Sequence, residues 1–182
     1  MSLVKEKFFA ALHASGMPKV PHDFSVVPSA QLIPHATLVE IDDFIRLFDR
    51  VTTRAAWQQA VTAPAPEIAQ TRRAEICFFT AWDFHLSPEQ GWQLIECNDN
   101  GSGFLFAALI NRLFYELSDL AQERSIEPPA SVGAFKEQLA TLIEREIKGF
   151  FGAFPDGLCF VLDTSDALRG GKFYREFILL RD

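Results

Sequence analysis

Two apolar segments separated by a short turn constrain this fold more than any other feature of the sequence. Residues Glu75–Leu86 are rich in Phe, Ile and Thr, and residues Trp92–Asn98 have the sequence WQLIECN. The sequence SPEQG stands between them, and its Ser, Pro and Gly favour a turn. Two strands joined so closely predict an antiparallel β-hairpin.

Apolar residues recur every three or four positions in four further segments, which is the spacing of one face of an α-helix. We expect these amphipathic helices to pack around the hairpin through their apolar faces. The segments are Leu3–Ala14, the stretch from Thr37 to Val51, Phe104–Glu123 and Val132–Phe151.

The C-terminal part predicts one more strand and one more helix. Residues Gly157–Asp163 form a nearly continuous apolar run, which is typical of a strand covered on both faces. A polar loop over 164–171 precedes a helix from Lys172 onward, whose first turn, with Arg175, is expected to be solvated. The sequence therefore predicts an α+β protein, with an antiparallel sheet containing the hairpin, amphipathic helices packed on it, and a C-terminal strand–helix unit. Residues 1–155 would form one part and residues 156–182 the start of an α/β unit.

Composition disfavours two classes of partner. The net charge is −7, whereas non-specific nucleic-acid binding needs clustered Lys and Arg. No apolar run approaches the roughly 18 residues that a membrane-spanning helix needs. We therefore expect neither a nucleic acid nor a membrane as the partner.

Phenylalanine and cysteine are both predicted to lie in the interior. There are 18 Phe but only 2 Tyr, so most aromatic side chains bring no polar group to the core. The three cysteines stand among apolar residues, and their spacing shows neither a CxxC pattern nor a disulfide framework. They are Cys77, Cys97 and Cys159. Buried thiols indicate a reducing compartment, so we expect a cytoplasmic protein.

The chemistry-bearing residues lie on the hairpin. Side chains alternate along a strand, so Glu96 and Asn98 share a face and Cys97 takes the other. If residues 82–85 pair with residues 94–97, Asp83 also lies beside them, and His85 shares the face of Asp83. Two carboxylates and an amide oxygen form a set of hard oxygen ligands suited to Mg²⁺. The alternative is a solvent-facing Glu96 with Asn98 starting a turn.

The loop from Asn98 to Gly103 allows two interpretations. Its glycines would let backbone N–H groups approach an anion, with the N-terminus of the next helix behind them. Alternatively, the loop is a plain connection in which Ser102 caps the helix. An EF-hand is excluded, because with Gly101 at position six the twelfth position is Ala107, which cannot supply the bidentate carboxylate.

The same residues resemble a known family. The sequence DFHL at 83–86, followed by LIECNDNGSG at 94–103, resembles circularly permuted ATP-grasp proteins similar to glutathionylspermidine synthase-type ligases. In that group a DFHL-like strand precedes a strand and loop of the form IE-x-N-x-N-small-Gly. The predicted strand at Gly157–Asp163, together with Tyr174, Glu176 and Phe177, also resembles the segment that follows in such proteins. This chain differs from the family pattern in carrying Asp99 and Ser102.

The resemblance implies a ligase that activates a carboxylate as an acyl phosphate, which an amine or a thiol then attacks. Its cofactors would be Mg²⁺ and ATP, and its partners small-molecule carboxylate and amine substrates. By matching position, the metal ligands would be Asp83, Glu96 and Asn98, and the residues near phosphate would be Asn100, Gly101, Ser102 and Gly103.

The permuted order implies that nucleotide-clamping lysines and a lid follow the metal strands. On this resemblance, residues 1–155 would be the metal-binding half and residues 156–182 an incomplete pre-ATP-grasp-like unit, which puts the catalytic competence of these 182 residues in question. The alternative is a non-catalytic α+β binding or assembly module derived from an ATP-grasp core. Such a module would form a homo-oligomer or bind a partner that supplies the missing half.

Overall fold

In the residues that the structure describes, the chain forms helices and a two-stranded antiparallel sheet, which confirms the predicted α+β class. A computed structural model describes residues 5–19, 31–67, 80–98, 103–123, 125–153, 164–171 and 173–181. The elements are α1 (Lys5–Ala14), α2 (His35–Thr52), α3 (Ala55–Thr62), β1 (Ala81–Ser87), β2 (Gly91–Asn98), α4 (Phe104–Leu117), a 3-10 helix (Asp119–Gln122), α5 (Val132–Phe151), α6 (Ser165–Leu168) and α7 (Tyr174–Arg181).

Some predicted elements lie outside the described residues, and others differ from what the structure shows. The predicted strand at Gly157–Asp163 and the boundary near residue 155 lie outside the described residues. The segment 164–171, predicted as a loop, contains the short helix α6. The stretch before Pro64 forms α3, which the sequence did not predict. Within the described ranges, each helix is too short or too polar to cross a membrane.

The chain divides into two compact units. Unit 1 comprises Met1–Ala30, Ile76–Ala81 and Asn98–Asp182, and unit 2 comprises Gln31–Glu75 and Trp82–Cys97. The division follows contacts in space, so the hairpin and α2 share a unit although they are distant in sequence.

Unit 1 has its core between α1, α4 and the helices packed on α4. Phe8 and Leu12 stand four residues apart on one face of α1, as predicted, and both are completely buried. They pack with Leu109 and Leu113, which are four residues apart on α4, and the Phe8 ring lies 4.9 Å from that of Phe114. Two matching helical stripes therefore meet in the core.

Local capping signals explain where α5 begins and ends. The hydroxyl of Ser131 accepts a hydrogen bond of 3.1 Å from the N–H of Ala134, which is an N-cap contact. Gly152, at a φ of 76°, takes the left-handed conformation that follows many helices. The prediction of a helix over Val132–Phe151 is confirmed, and Phe150 near its end is 59% exposed.

Unit 2 is built on an aromatic cluster between α2 and the hairpin. The Phe44 ring lies 5.2 Å from the Trp92 ring, and the Phe48 ring lies 5.1 Å from the Trp82 ring. None of the residues described in this unit is fully buried. The polar side of α2 is solvated, and there a hydrogen bond from Arg46 to Asp42 raises the pKa of Arg46. The aromatic cluster consists of Phe44, Phe48, Trp82, Phe84 and Trp92.

Candidate functional site

The predicted hairpin is present, and its turn is shorter than expected. Strand β1 runs through Ser87 and β2 begins at Gly91, so three residues join them. The Ser87 hydroxyl accepts hydrogen bonds from the backbone N–H groups of Glu89 and Gln90, at 3.3 and 3.4 Å. Gly91, at a φ of 73°, supplies a left-handed residue that few side chains tolerate. The Ser and the Gly of SPEQG therefore build this turn.

One face of the hairpin packs on α2. Trp82 and Phe84 both contact Phe44, and Trp92 contacts Phe44 and Phe84. The indole N–H of Trp92 donates a hydrogen bond of 3.1 Å to the carboxylate of Glu40 on α2. These contacts show which side of each strand carries the aromatic cluster.

The predicted metal ligands can be placed relative to this aromatic face. Asp83 stands between Trp82 and Phe84 on β1, so alternation puts it on the opposite face, where it is exposed. Glu96 lies four positions after Trp92, so the same rule puts it on the side of Trp92. The predicted register set Asp83 and Glu96 on one face. If both strands alternate regularly, Asp83 and Glu96 lie on opposite faces of the hairpin. A cation bound by both carboxylates would then require an irregularity in one of the strands.

The donor chemistry of the strand end suits a hard cation. Glu96 and Asn98 are both exposed and two residues apart on β2, and carboxylate and amide oxygens are the ligand types that Mg²⁺ prefers. In the part of the chain that the structure describes, no three His, Cys, Asp and Glu side chains form a group able to hold a metal. An amide oxygen, such as that of Asn98, would therefore have to complete the ligand set. Cys97, predicted to be buried, is half-buried.

The predicted phosphate loop is described only at its end. Asn100, Gly101 and Ser102 lie outside the described residues. Gly103 is the N-cap of α4, with a φ of 80°, and its carbonyl accepts a hydrogen bond of 2.9 Å from the N–H of Ala107. The N-cap position thus belongs to a residue without a side chain, rather than to Ser102.

A distant carboxylate supplies the cap that Gly103 lacks. The backbone N–H groups of Leu105 and Phe106 donate hydrogen bonds of 3.1 and 2.7 Å to the two carboxylate oxygens of Glu176 on α7. These are the donors that an N-cap side chain normally satisfies. Glu176 is only 5% exposed. One of the two interpretations of this loop places the N-terminus of α4 behind a bound anion, but two of its N–H donors already bind a carboxylate of the protein.

The first turn of α7 is therefore buried, and the expectation of a solvated turn is wrong. Arg175 is 3% exposed, its Nε donates a hydrogen bond of 3.0 Å to the carbonyl of Pro18, and its guanidinium lies 5.5 Å from the Phe106 ring. Arg175 and Glu176 stand inside the otherwise apolar and aromatic run from Phe173 to Leu180. That setting is the sequence signal that could have identified them as buried charges with partners.

Comparison with known proteins finds no matching family model, no matching curated protein and no matching solved structure. The resemblance to ATP-grasp ligases therefore depends on the motif at 83–103 and on the hairpin that carries it.

Proposed function

We propose that this chain provides the magnesium-binding hairpin of an ATP-grasp-type ligase, which joins a carboxylate to an amine or thiol through an acyl phosphate. The observation that supports it is the end of β2. Glu96 and Asn98 are exposed at alternate positions there, and Gly103 opens α4 five residues later. Glu96, Asn98 and Gly103 are residues of the resembled motif, and the proposal assigns the first two to the metal and the third to the phosphates.

The proposed roles follow from the chemistry of the side chains. Glu96 would bind the ion through its carboxylate and Asn98 through its amide oxygen, with water in the remaining positions. Bound Mg²⁺ would neutralise charge on the phosphates of ATP. Asn100 to Gly103 would lie near the phosphates. The partners would be small carboxylates and amines in the cytoplasm, where the thiol of Cys97 would stay reduced.

Calorimetric titration of the full chain with Mg·ATP tests this proposal. We expect binding that requires Mg²⁺ and that weakens by about tenfold or more in Glu96→Gln, because the ion loses a charged oxygen ligand. Asn98→Ala should act in the same direction. Glu89→Gln, at the exposed hairpin turn, is the matched control and should bind as the unmodified chain does. Equal affinity with ATP in EDTA would contradict the proposal, as would the absence of any heat.

Asp83→Asn reports on the third ligand. Because alternation places Asp83 on the face opposite the aromatic cluster, we expect this substitution to weaken Mg·ATP binding less than Glu96→Gln does. A loss as large as that of Glu96→Gln would place Asp83 on the same ion and would show that the strands do not alternate regularly.

A binding or assembly module is the second candidate, and the exposed apolar surface of α2 favours it. Leu38, Val39 and Leu47 on this helix are 46–52% exposed. A second copy of the chain would cover such side chains, and light scattering would then show an oligomer that Leu47→Lys dissociates without loss of helical content. A monomer at high concentration would contradict this candidate, and Mg·ATP binding by that monomer would favour the first.

A further inference from the structure

The beginning of α4 is determined by a side chain from another helix. Gly103 has no side chain to cap the helix, and the two carboxylate oxygens of Glu176 accept hydrogen bonds from the Leu105 and Phe106 N–H groups instead. The residues are about seventy positions apart in sequence. The first turn of α4 therefore depends on where α7 lies.

Burial makes this contact strong and specific. Buried N–H donors that lose their acceptor are costly, because water does not replace it. The negative charge of Glu176 also faces the positive end of the α4 dipole. A carboxylate is well matched to both donors, since each of its oxygens accepts one hydrogen bond.

The neighbouring residue fixes α7 at a second point. Arg175 donates a hydrogen bond to the carbonyl of Pro18, which follows α1, and its guanidinium lies over the ring of Phe106 in the first turn of α4. Consecutive residues of α7 thus hold two different segments of unit 1. A helix held at two points has little freedom to shift along α4.

We infer that Glu176 is a positioning residue that fixes Gly103 and the first turn of α4, and so sets the end of the predicted phosphate loop. The inference rests on the proposed function for the link to nucleotide binding, but the contact itself does not. Gly103 is the last of the residues expected near phosphate, so a shift of the first turn of α4 would move Gly103 relative to Asn98, which lies in the same unit.

Amide hydrogen exchange measured by NMR on the ligand-free full chain tests the contact. Glu176→Gln keeps the side-chain volume but turns one acceptor into a donor facing an N–H group. We expect exchange at Leu105 and Phe106 to accelerate by about tenfold, with a chemical-shift change at Gly103, while exchange at Leu113 stays within about twofold. Glu137→Gln, at an exposed position of α5, is the matched control. Unchanged exchange at both amides would overturn the inference.

Mg·ATP titration of the same variants separates the inference from the proposed function. If the unmodified chain binds, Glu176→Gln should weaken binding by about tenfold. Leu12→Ala, which loosens the core but leaves the Glu176 carboxylate unchanged, should not weaken binding when compared at equal folded fraction. Equal weakening by both variants would show a merely structural role and overturn the inference. If the unmodified chain does not bind Mg·ATP, the proposed function fails. The amide exchange rates of Leu105 and Phe106 and the chemical shift of Gly103 then still decide whether Glu176 positions Gly103.

Discussion

At the scale of single residues, Gly103 shows how backbone conformation limits what can precede α4. Its φ is 80°, and a Cβ built there would meet no atom within 4 Å, so a substitution would suffer from conformation alone. We expect Gly103→Ala to lower the free energy of unfolding by about 1 kcal/mol, since L-residues disfavour the left-handed region. Urea unfolding followed by circular dichroism measures this change.

Gly133→Ala is the matched control for that substitution. Gly133 lies in the first turn of α5 with a helical backbone, and its added Cβ would lie 4.0 Å from the Ser131 hydroxyl oxygen. Alanine there should raise stability, by up to about 1 kcal/mol, because it favours the helix. If both variants changed stability in the same direction, the conformational explanation for Gly103 would be wrong.

The residues of the candidate metal site show what the alternation of side chains along a strand can and cannot predict. That Glu96 and Asn98 share a face follows from their spacing within one strand. Whether Asp83 joins them depends on the pairing of two strands, and a slip of one residue moves every side chain to the other face. The packing of Trp82 and Trp92 on Phe44 of α2 indicates which face each strand presents, and those contacts are distant in sequence.

At the scale of elements, predictions succeeded where the boundary signals were local. Helix α5 has its own capping serine and terminal glycine, so both ends could be read from adjacent residues. Helix α4 was expected to reach Glu123 but ends at Leu117, where Ser118 turns extended and its hydroxyl accepts a hydrogen bond from the Leu120 N–H. Its start at Phe104 was predicted correctly, but its cap was not, because the capping carboxylate comes from Glu176. Periodicity locates a helix well, but it carries no information about a cap that comes from a residue distant in sequence.

At the scale of the whole molecule, the two units differ in how they are stabilised. Every fully buried side chain in the described residues belongs to unit 1, including Phe8, Leu12 and Leu105. Unit 2 depends on the half-buried aromatic cluster. The sequence predicted the α+β class and the amphipathic helices, but periodicity cannot tell which apolar stripe becomes a closed core. The stripe of α1 is buried, whereas that of α2 is half-exposed.

This difference predicts two unfolding transitions that different probes can separate. All three tryptophans of the chain, Trp57, Trp82 and Trp92, lie in unit 2, so their fluorescence follows that unit alone. Far-ultraviolet circular dichroism follows the helices of both units. Because burial of apolar area is the main source of stability, we expect the fluorescence transition at a lower urea concentration than the main circular dichroism transition.

Leu12→Ala makes this test specific to the core of unit 1. Removing a completely buried leucine costs about 2–5 kcal/mol, so the circular dichroism midpoint should fall while the fluorescence midpoint stays in place. Coincident transitions in the unmodified chain would instead show that the two units unfold as one cooperative structure. In that case a substitution in either unit would shift both probes together, and the half-buried aromatic cluster would owe its stability to the rest of the chain.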